Sequence, residues 1–446
     1  MSALKTNILN AGKWLFLIGI SLLIIRNNSY PWPVKRASDI LFVLSAVGSI
    51  AYLFISKEWR NFISDNKRIF TALGIIFAGL AVASINGQLR GVSFEREGIL
   101  SVGRFIESAL IVLLVGFFQR YDASFWKKAA LAQLSTLVYI PMLLTPQNNP
   151  ATLMGRFQLF ENWPSNVGYY LVISLSLIIP FFLRNMLPFK KIFFIYYLAA
   201  IFLFGLLLWT QSRSSWLAIS VISITALIMW NFRPSADGTQ TAKNGARVKS
   251  ISAGIASILL MGALGFAVLP GTIKNLVVLR FLPQLAGHTN YYESNPGNII
   301  ETALSDKIQV DLKDSGRIDL WKIYTKRYIS NPLGDGTQYE PIIYDGSKKG
   351  PHNTFLELLI IGGPLVLIGF LMLSWMAFKN LFSQFKKSKD KYALWVIYGI
   401  CSLSGLIIAA FFDNMSTFRA MWLIIGICIF MASPGEIFSQ RDRQGA

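Results

Sequence analysis

The sequence predicts an all-α, polytopic integral membrane protein with about twelve transmembrane helices and one large outer loop that itself contains helix. Three observations carry this. The 446 residues are 53% hydrophobic with a mean hydropathy of +0.48, and 15% are charged, where a soluble domain carries about a quarter. Apolar stretches recur along the chain, each close to the ~20 residues that span a hydrocarbon core. One long polar interruption, roughly Gly271 to Gly350, breaks that pattern and ends at Pro351-His352-Asn353.

The predicted spans are approximately 8–25, 37–56, 69–85, 99–118, 125–145, 165–183, 192–209, 214–232, 251–270, 354–378, 391–411 and 415–432. They divide the chain into a first set of nine helices (1–270), the loop (271–351), and three closing helices with a tail (352–446). Lys5 and Lys13 precede the first apolar run, but Arg26-Asn27-Asn28 follows it without a small-residue cleavage pattern. That run therefore reads as an uncleaved anchor.

The formal net charge of +19 is mostly topology. Twenty-three Lys and Arg fall in one set of alternate loops or in the adjoining ends of their spans, the two termini included, against seven in the short loops of the other set. The positive-inside rule then places both termini in the cytoplasm and the 271–351 loop outside, in the periplasm of a Gram-negative cell. The clusters Lys57 to Arg68, Arg233 to Lys249 and Lys379 to Lys391 face anionic lipid headgroups on the inner side. Membrane lipids are thus the partners of the basic surface, and no nucleic acid is implied. Both cysteines, Cys401 and Cys428, lie in spans, which leaves the outer loop without disulfide or thiolate chemistry.

Part of that loop has helical periodicity. Between Ser315 and Ile329, Ile318, Trp321, Tyr324 and Tyr328 fall near one face, with Asp319, Lys322 and Lys326 elsewhere. Asn331-Pro332-Leu333-Gly334-Asp335-Gly336 stops the helix. The helix is expected to lie over the membrane surface. Arg104 and Glu107 share a face inside the fourth span, where a lone charge costs about 2.5–3.5 kcal/mol. They form either a structural ion pair or a lining of the substrate slot.

His352 is the leading candidate for chemistry. Imidazole is the side chain best suited to take a proton near neutral pH, and His352 sits at the outer end of the tenth span. Asn353 and Glu357 are candidates to orient its ring; the competing account makes His352 a loop anchor. His288, in a polar turn, reads as loop surface. Arg213, Arg280 and Arg317 form a second constellation, because a guanidinium fork suits phosphate oxygens; interfacial snorkelling is the alternative for each. No metal is expected, since no histidine pair at ligand spacing, HExxH or acidic cluster is present. No nucleotide fingerprint appears either, so no cofactor is assigned. Gly362-Gly363-Pro364 marks a kink or a close helix contact.

Four local patterns, taken in order, resemble the superfamily of O-antigen ligases and polymerases, bacterial membrane glycosyltransferases. Gly155-Arg156-Phe157 leads to Pro164-Ser165-Asn166 before a span. Ser212-Arg213-Ser214-Ser215-Trp216-Leu217 is similar to the family's Ser-Arg pattern. Ser315-Gly316-Arg317 to Trp321, then Pro332-Leu333-Gly334-Asp335-Gly336, is similar to its loop pattern. Pro351-His352-Asn353-Thr354-Phe355-Leu356 is similar to its His-Asn-x-x-Leu signature. Histidine, nine intervening residues and then glycine, a ligase spacing, is met by His352 and Gly362. The ligase pattern then has Gly, Thr or Tyr where this chain has Leu365, a departure that bears on ligase against polymerase.

The resemblance implies an inner-membrane enzyme, closest to O-antigen ligase. Such an enzyme takes glycan from undecaprenyl pyrophosphate and transfers it to a sugar hydroxyl of the lipid A–core oligosaccharide, completing lipopolysaccharide. It implies metal-independent, inverting transfer. His352 would be the base and Arg213, Arg317 and Arg280 the pyrophosphate ligands, with Arg156, Asn166, Asn353, Glu357 and Trp321 in support. A polymerase of O-antigen or another surface polysaccharide and a protein O-oligosaccharyltransferase are the alternatives within the superfamily. A membrane transporter is the alternative outside it, but transporters of this size place binding sites at midplane in repeated halves, and no such symmetry is present.

Overall fold

The computed structural model describes residues 2–23, 36–92, 96–135, 164–185, 191–210, 212–232, 244–269, 274, 277, 317–344, 347–388 and 390–432. Fourteen α-helices and one hairpin occur among them. The first six helices are α1 (Ser2–Ser21), α2 (Ala37–Ser56), α3 (Trp59–Asp65), α4 (Lys67–Leu89), α5 (Arg96–Tyr121) and α6 (Phe125–Leu134). Then follow α7 (Pro164–Asn185), α8 (Lys191–Trp209), α9 (Arg213–Asn231), α10 (Asn244–Ala267) and α11 (Arg317–Ser330). Strands β1 (Ile342–Tyr344) and β2 (Ser347–Lys349) pair antiparallel, with Ile342 opposite Lys349. The described chain closes with α12 (Thr354–Lys387), α13 (Asp390–Ala410) and α14 (Arg419–Phe430).

A helix falls on each of the twelve predicted apolar stretches, although residues 136–145 of the fifth lie outside the described residues. Seven helices (α2, α4, α5, α7, α9, α12 and α13) are long and apolar enough to cross a membrane, by length and composition. Three shorter apolar segments, Ile195–Trp209, Gly254–Ala267 and Arg419–Phe430, fall on the seventh, ninth and twelfth stretches. Helix is the expected form, because in hydrocarbon each backbone donor and acceptor must be satisfied within the segment.

Aromatic side chains fill the bundle. Phe16 of α1 meets Phe42 of α2, Phe118 of α5 and Phe125 of α6 at ring-centroid distances of 5.4, 5.8 and 5.9 Å, within the range where edge and offset contacts stabilise. Trp422 of α14 is fully buried between Phe105 of α5 and Phe370 of α12. These contacts tie the first helices to the last.

The longest helix, α12, packs along α4 and is kinked at its Gly-Gly-Pro. Gly363 adopts φ 64° and ψ −165°, a region essentially confined to glycine. Pro364 has no N–H to give the carbonyl of Ile360, four residues back. The N–H of Asp335, in the loop after α11, donates to that carbonyl at 2.7 Å. The same loop enters between α4 and α12. Asn86 Nδ2 donates to Asn331 Oδ1 (2.7 Å) and to the Gly334 carbonyl (2.9 Å), and Gln338 Nε2 donates to the Ser84 carbonyl (3.0 Å). Gly334, at φ 87°, approaches so closely that an added Cβ would stand 2.7 Å from the Gly363 nitrogen. The expected stop signal is therefore also a wedge that seats the loop on the kink.

The expected amphipathic helix forms as α11, with one shift of face. Leu320 and Tyr324 are its buried residues, packed on Ile360, and Tyr324 Oη donates to the Lys349 carbonyl at 2.7 Å. Ile318, expected on the inner face, is exposed together with Ile323 and Ile329. Leu320 displaces it because the i, i+4 pair with Tyr324 is what α12 and the hairpin cover. Arg104 and Glu107 also depart from expectation: Glu107 Oε2 pairs with Arg419 Nη2 of α14 at 2.8 Å, rather than with Arg104.

Candidate active site

His352 lies in the turn that starts α12, with a left-handed φ of 46°. A non-glycine residue in that region is uncommon and costs on the order of 1 kcal/mol. The turn is held from both sides. Asn353 caps α12, its Oδ1 accepting from the Leu356 N–H at 3.0 Å. Its own N–H donates to Asn414 Oδ1 (3.2 Å) and its Nδ2 to the Phe411 carbonyl (3.1 Å). Thr354 Oγ1 donates to the Asp413 carbonyl at 2.7 Å and accepts from the Met415 N–H at 2.8 Å. These bonds fasten the start of α12 to the α13–α14 turn, residues 411–418.

That lacing brings His352 Nδ1 to 3.7 Å from Asp413 Oδ1, an ion-pair separation longer than a hydrogen bond. The imidazole is about one-third exposed, its side chain at 36%. With Nδ1 toward the carboxylate, the ring proton is assigned there and Nε2 keeps its lone pair. Burial pushes the Asp413 carboxyl up, but His352, the Tyr169 hydroxyl and the Asn414 N–H outweigh it and hold it below the usual carboxylate range. Asp413 is therefore ionised at neutral pH.

The network continues into α7 and α9. Tyr169 Oη donates to Asp413 Oδ2 at 2.7 Å and lies 2.9 Å from Ser214 Oγ. Ser214 Oγ is 3.1 Å from Ser212 Oγ, which also accepts from Ser215 Oγ at 2.9 Å and caps α9. Gly168 lets the helices close here, since a Cβ on it would stand 2.2 Å from Ser215 Oγ. The Ser-Arg-Ser-Ser motif thus has two parts. Its buried serines wire α9 to Tyr169, Asp413 and His352, while Arg213 points outward and is exposed.

Arg213 and Arg317 are the first residues of α9 and α11. A cation there opposes the helix dipole, so helix stability does not account for either arginine. Helix N-termini do favour anions. Among the described residues neither guanidinium has a hydrogen bond or ion pair, and the charge of Arg317 reaches the Tyr169 hydroxyl. Arg213 thus sits between two serines of the network and Arg317 within electrostatic reach of Tyr169, both uncommitted among the described residues.

The supporting candidates divide. Asn166 is half-buried on α7, one turn before Tyr169. Trp321 packs against Phe412, next to Asp413, at 6.2 Å between rings, and its Nε1 is buried without a partner among the described residues. Asn353 and Glu357 do not face the ring as expected. Asn353 is occupied in capping, and Glu357 is bonded to Ser416 with its Oε2 buried and unpartnered. Arg156, Arg280 and His288 lie outside the described residues.

Asp413 and Tyr169 were missed in the sequence. A signal existed for the first: Asp413 is an acid in the three-residue connection between the predicted spans 391–411 and 415–432. For Tyr169 the only signal is its position one turn after Asn166.

Residues 198–371 match a family model described as O-antigen ligase. This match supports the O-antigen ligase superfamily. The ligase-family segment holds Arg213, Arg317 and His352, whereas Tyr169, on α7, and Asp413, in the α13–α14 turn, lie on either side of it. Members of the family are membrane glycosyltransferase-like enzymes, and the match together with the apolar helices supports an inner-membrane protein of O-antigen ligase or polymerase type. No curated protein sequence matches the chain.

Proposed function

We propose that this protein is an O-antigen ligase, transferring glycan from undecaprenyl pyrophosphate to a sugar hydroxyl of lipid A–core oligosaccharide. The observation that carries the proposal is the His352–Asp413 pair in the same network as Tyr169 and the Ser-Arg-Ser-Ser turn. His352 Nε2 takes the proton of the acceptor hydroxyl as its oxygen attacks the anomeric carbon. Asp413 holds the ring and stabilises the imidazolium that forms. The carbon–oxygen bond to the pyrophosphate breaks on the opposite face, so the anomeric configuration inverts. Undecaprenyl pyrophosphate leaves as an anion, and Arg213 and Arg317 neutralise its charge where a metal would otherwise serve. Arg280 is proposed as a third ligand, with Arg156, Asn166 and Trp321 supporting.

In this proposal the chain crosses the inner membrane twelve times, with both termini cytoplasmic and the site facing the periplasm. Reporter fusions at Gly238 and Lys387 should read as cytoplasmic and one at Asn295 as exported. A cytoplasmic result at Asn295 overturns the mechanism, because the donor glycan is presented on the outer face.

Leu365, in place of the Gly, Thr or Tyr of the ligase pattern, favours one second reading, a polymerase whose acceptor is another lipid-linked glycan. Purified protein supplied with donor lipid alone, or with donor lipid and lipid A–core, separates the two. Product only with lipid A–core supports the ligase; chain growth with donor alone supports the polymerase.

A further inference from the structure

We propose that Arg104, flanked by Arg36 and Arg419, forms an anion subsite for the phosphate of a lipid headgroup, distinct from Arg213 and Arg317. The inference starts from charge pairing. Arg419 Nη2 lies 2.7 Å from Asp39 Oδ1 and 2.8 Å from Glu107 Oε2, and Arg36 Nη1 lies 2.9 Å from Asp39 Oδ2. Two arginines thereby engage the two carboxylates of the cluster. Arg104, one turn from Glu107 on α5, has no hydrogen bond or ion pair among the described residues. Its charge instead faces Arg419 and Arg36 as well as Asp39 and Glu107. Among the described residues, three guanidiniums against two carboxylates leave one positive charge uncompensated.

A purely structural network does not explain that surplus. Replacing Arg104 by an apolar residue would leave both carboxylates paired and would remove two repulsions that outweigh its attractions to Asp39 and Glu107. Arg104 is half-buried and lies about 9 Å along α5 from Gly98 at ~1.5 Å per residue. Gly98 marks the end of α5 nearest the loop after α11, because its carbonyl accepts from Thr337 Oγ1. An unpaired guanidinium inside a membrane helix is costly. A phosphate, which accepts the guanidinium fork in a bidentate geometry, offsets both that cost and the repulsion.

The walls of the subsite indicate a lipid rather than a free ion. On α5, Ile99, Leu100 and Ile106 are exposed at 59%, 42% and 46%. Gly103 has open space where a side chain would stand. Leu100 lies one turn from Arg104 on nearly the same face, so an acyl or isoprenyl chain can lie along α5 with its phosphate turned inward to Arg104. The subsite shares a wall with the active site. Phe418, the residue before Arg419, packs its ring on Tyr169 and Tyr170 at 5.7 and 5.2 Å. A phosphorylated lipid bound at Arg104 would therefore sit beside the transfer site without occupying it.

The proposal is independent of the transfer reaction, and so is its test. The full-length protein is delipidated in detergent and offered phosphatidylglycerol, farnesyl diphosphate or phosphate-free diacylglycerol, and retained lipid is counted by native mass spectrometry. The wild type should retain one more phosphate-bearing lipid than Arg104→Gln, with at least a tenfold loss of retention in the variant, and diacylglycerol should not be held. Loss confined to phosphatidylglycerol identifies a phospholipid as the source, and loss confined to farnesyl diphosphate identifies an isoprenoid carrier. Equal retention of both phosphate lipids by wild type and variant overturns the proposal, as does equal retention of diacylglycerol. Should Arg104→Gln not fold, Arg104→Lys serves with thermal melting as the readout. The phosphate lipid should raise its Tm less than it raises that of the wild type, and an equal rise overturns the subsite.

Discussion

The imidazole of His352 and the carboxylate of Asp413 face each other at 3.7 Å, although one belongs to the start of α12 and the other to the turn between α13 and α14. Asp413 is the group that gives the ring a preferred orientation. Asp413→Asn keeps the size of the side chain and removes its charge. Turnover should fall at least about tenfold, as for the carboxylate that orients the base histidine of a serine-protease triad, while retention of the lipid-linked donor stays near the wild-type level. A stability measurement adds an independent check. The carboxyl is held below its usual range in the fold, so its contribution is present above the unfolded value near 3.9 and is lost as pH falls through the lower folded value. The Tm gap between wild type and Asp413→Asn should thus close as pH falls below about 4. A gap that widens below about pH 4 would contradict an ionised Asp413.

Arg213 and Arg317 open their helices without partners among the described residues, which leaves both forks available to a pyrophosphate. Alanine at either position should nearly abolish transfer. Lysine should restore it only in part, because it keeps the charge and loses the bidentate geometry. Chelator should leave the wild type active. Complete loss with EDTA that a divalent ion restores would overturn neutralisation by arginine alone.

The wedge at the kink of α12 makes a prediction about folding rather than chemistry. Gly363 occupies a backbone region that other residues avoid, and a Cβ there would stand 2.7 Å from the Leu333 carbonyl. Gly363→Ala should destabilise the protein by about 1–3 kcal/mol and weaken the protection of the Asp335 amide in hydrogen exchange, since that N–H donates to Ile360. Unchanged exchange at Asp335 in a folded Gly363→Ala protein would show that the loop does not depend on the kink.

The helical fold was legible because each crossing must satisfy its own backbone, which forces long apolar runs that composition alone exposes. The kink was legible for a related reason, since Gly363 and Pro364 have few other uses inside a helix. What filled the kink was not, because the Asp335 N–H that meets Ile360 is backbone and leaves no mark in the side-chain pattern. At the site, His352, Arg213 and Arg317 stood out by residue type and motif. Asp413 and Tyr169 did not, since their partners come from three separate helices and the pairing exists only once α7, α9 and α13 are packed. Glu357 shows the opposite error: one turn from His352 in sequence, it faces Ser416 instead, because α12 turns it inward.

His352 carries the sharpest prediction. If Nε2 is the base, His352→Ala should lower turnover by about 10²–10⁴-fold with donor binding largely intact, because the arginines hold the pyrophosphate. Wild-type activity should decline on acidification, since an imidazolium cannot accept the acceptor's proton. The backbone offers a cleaner deletion. At φ 46° glycine is unstrained, so His352→Gly should melt at or above His352→Ala while being equally inactive, and free imidazole should restore part of its rate. The rival account, in which His352 only anchors the loop to α12, expects His352→Gln or His352→Asn to work almost normally, since both keep hydrogen bonding and neither supplies a base. Near-wild-type turnover in either variant, with folded protein at normal levels, rules out His352 as the base.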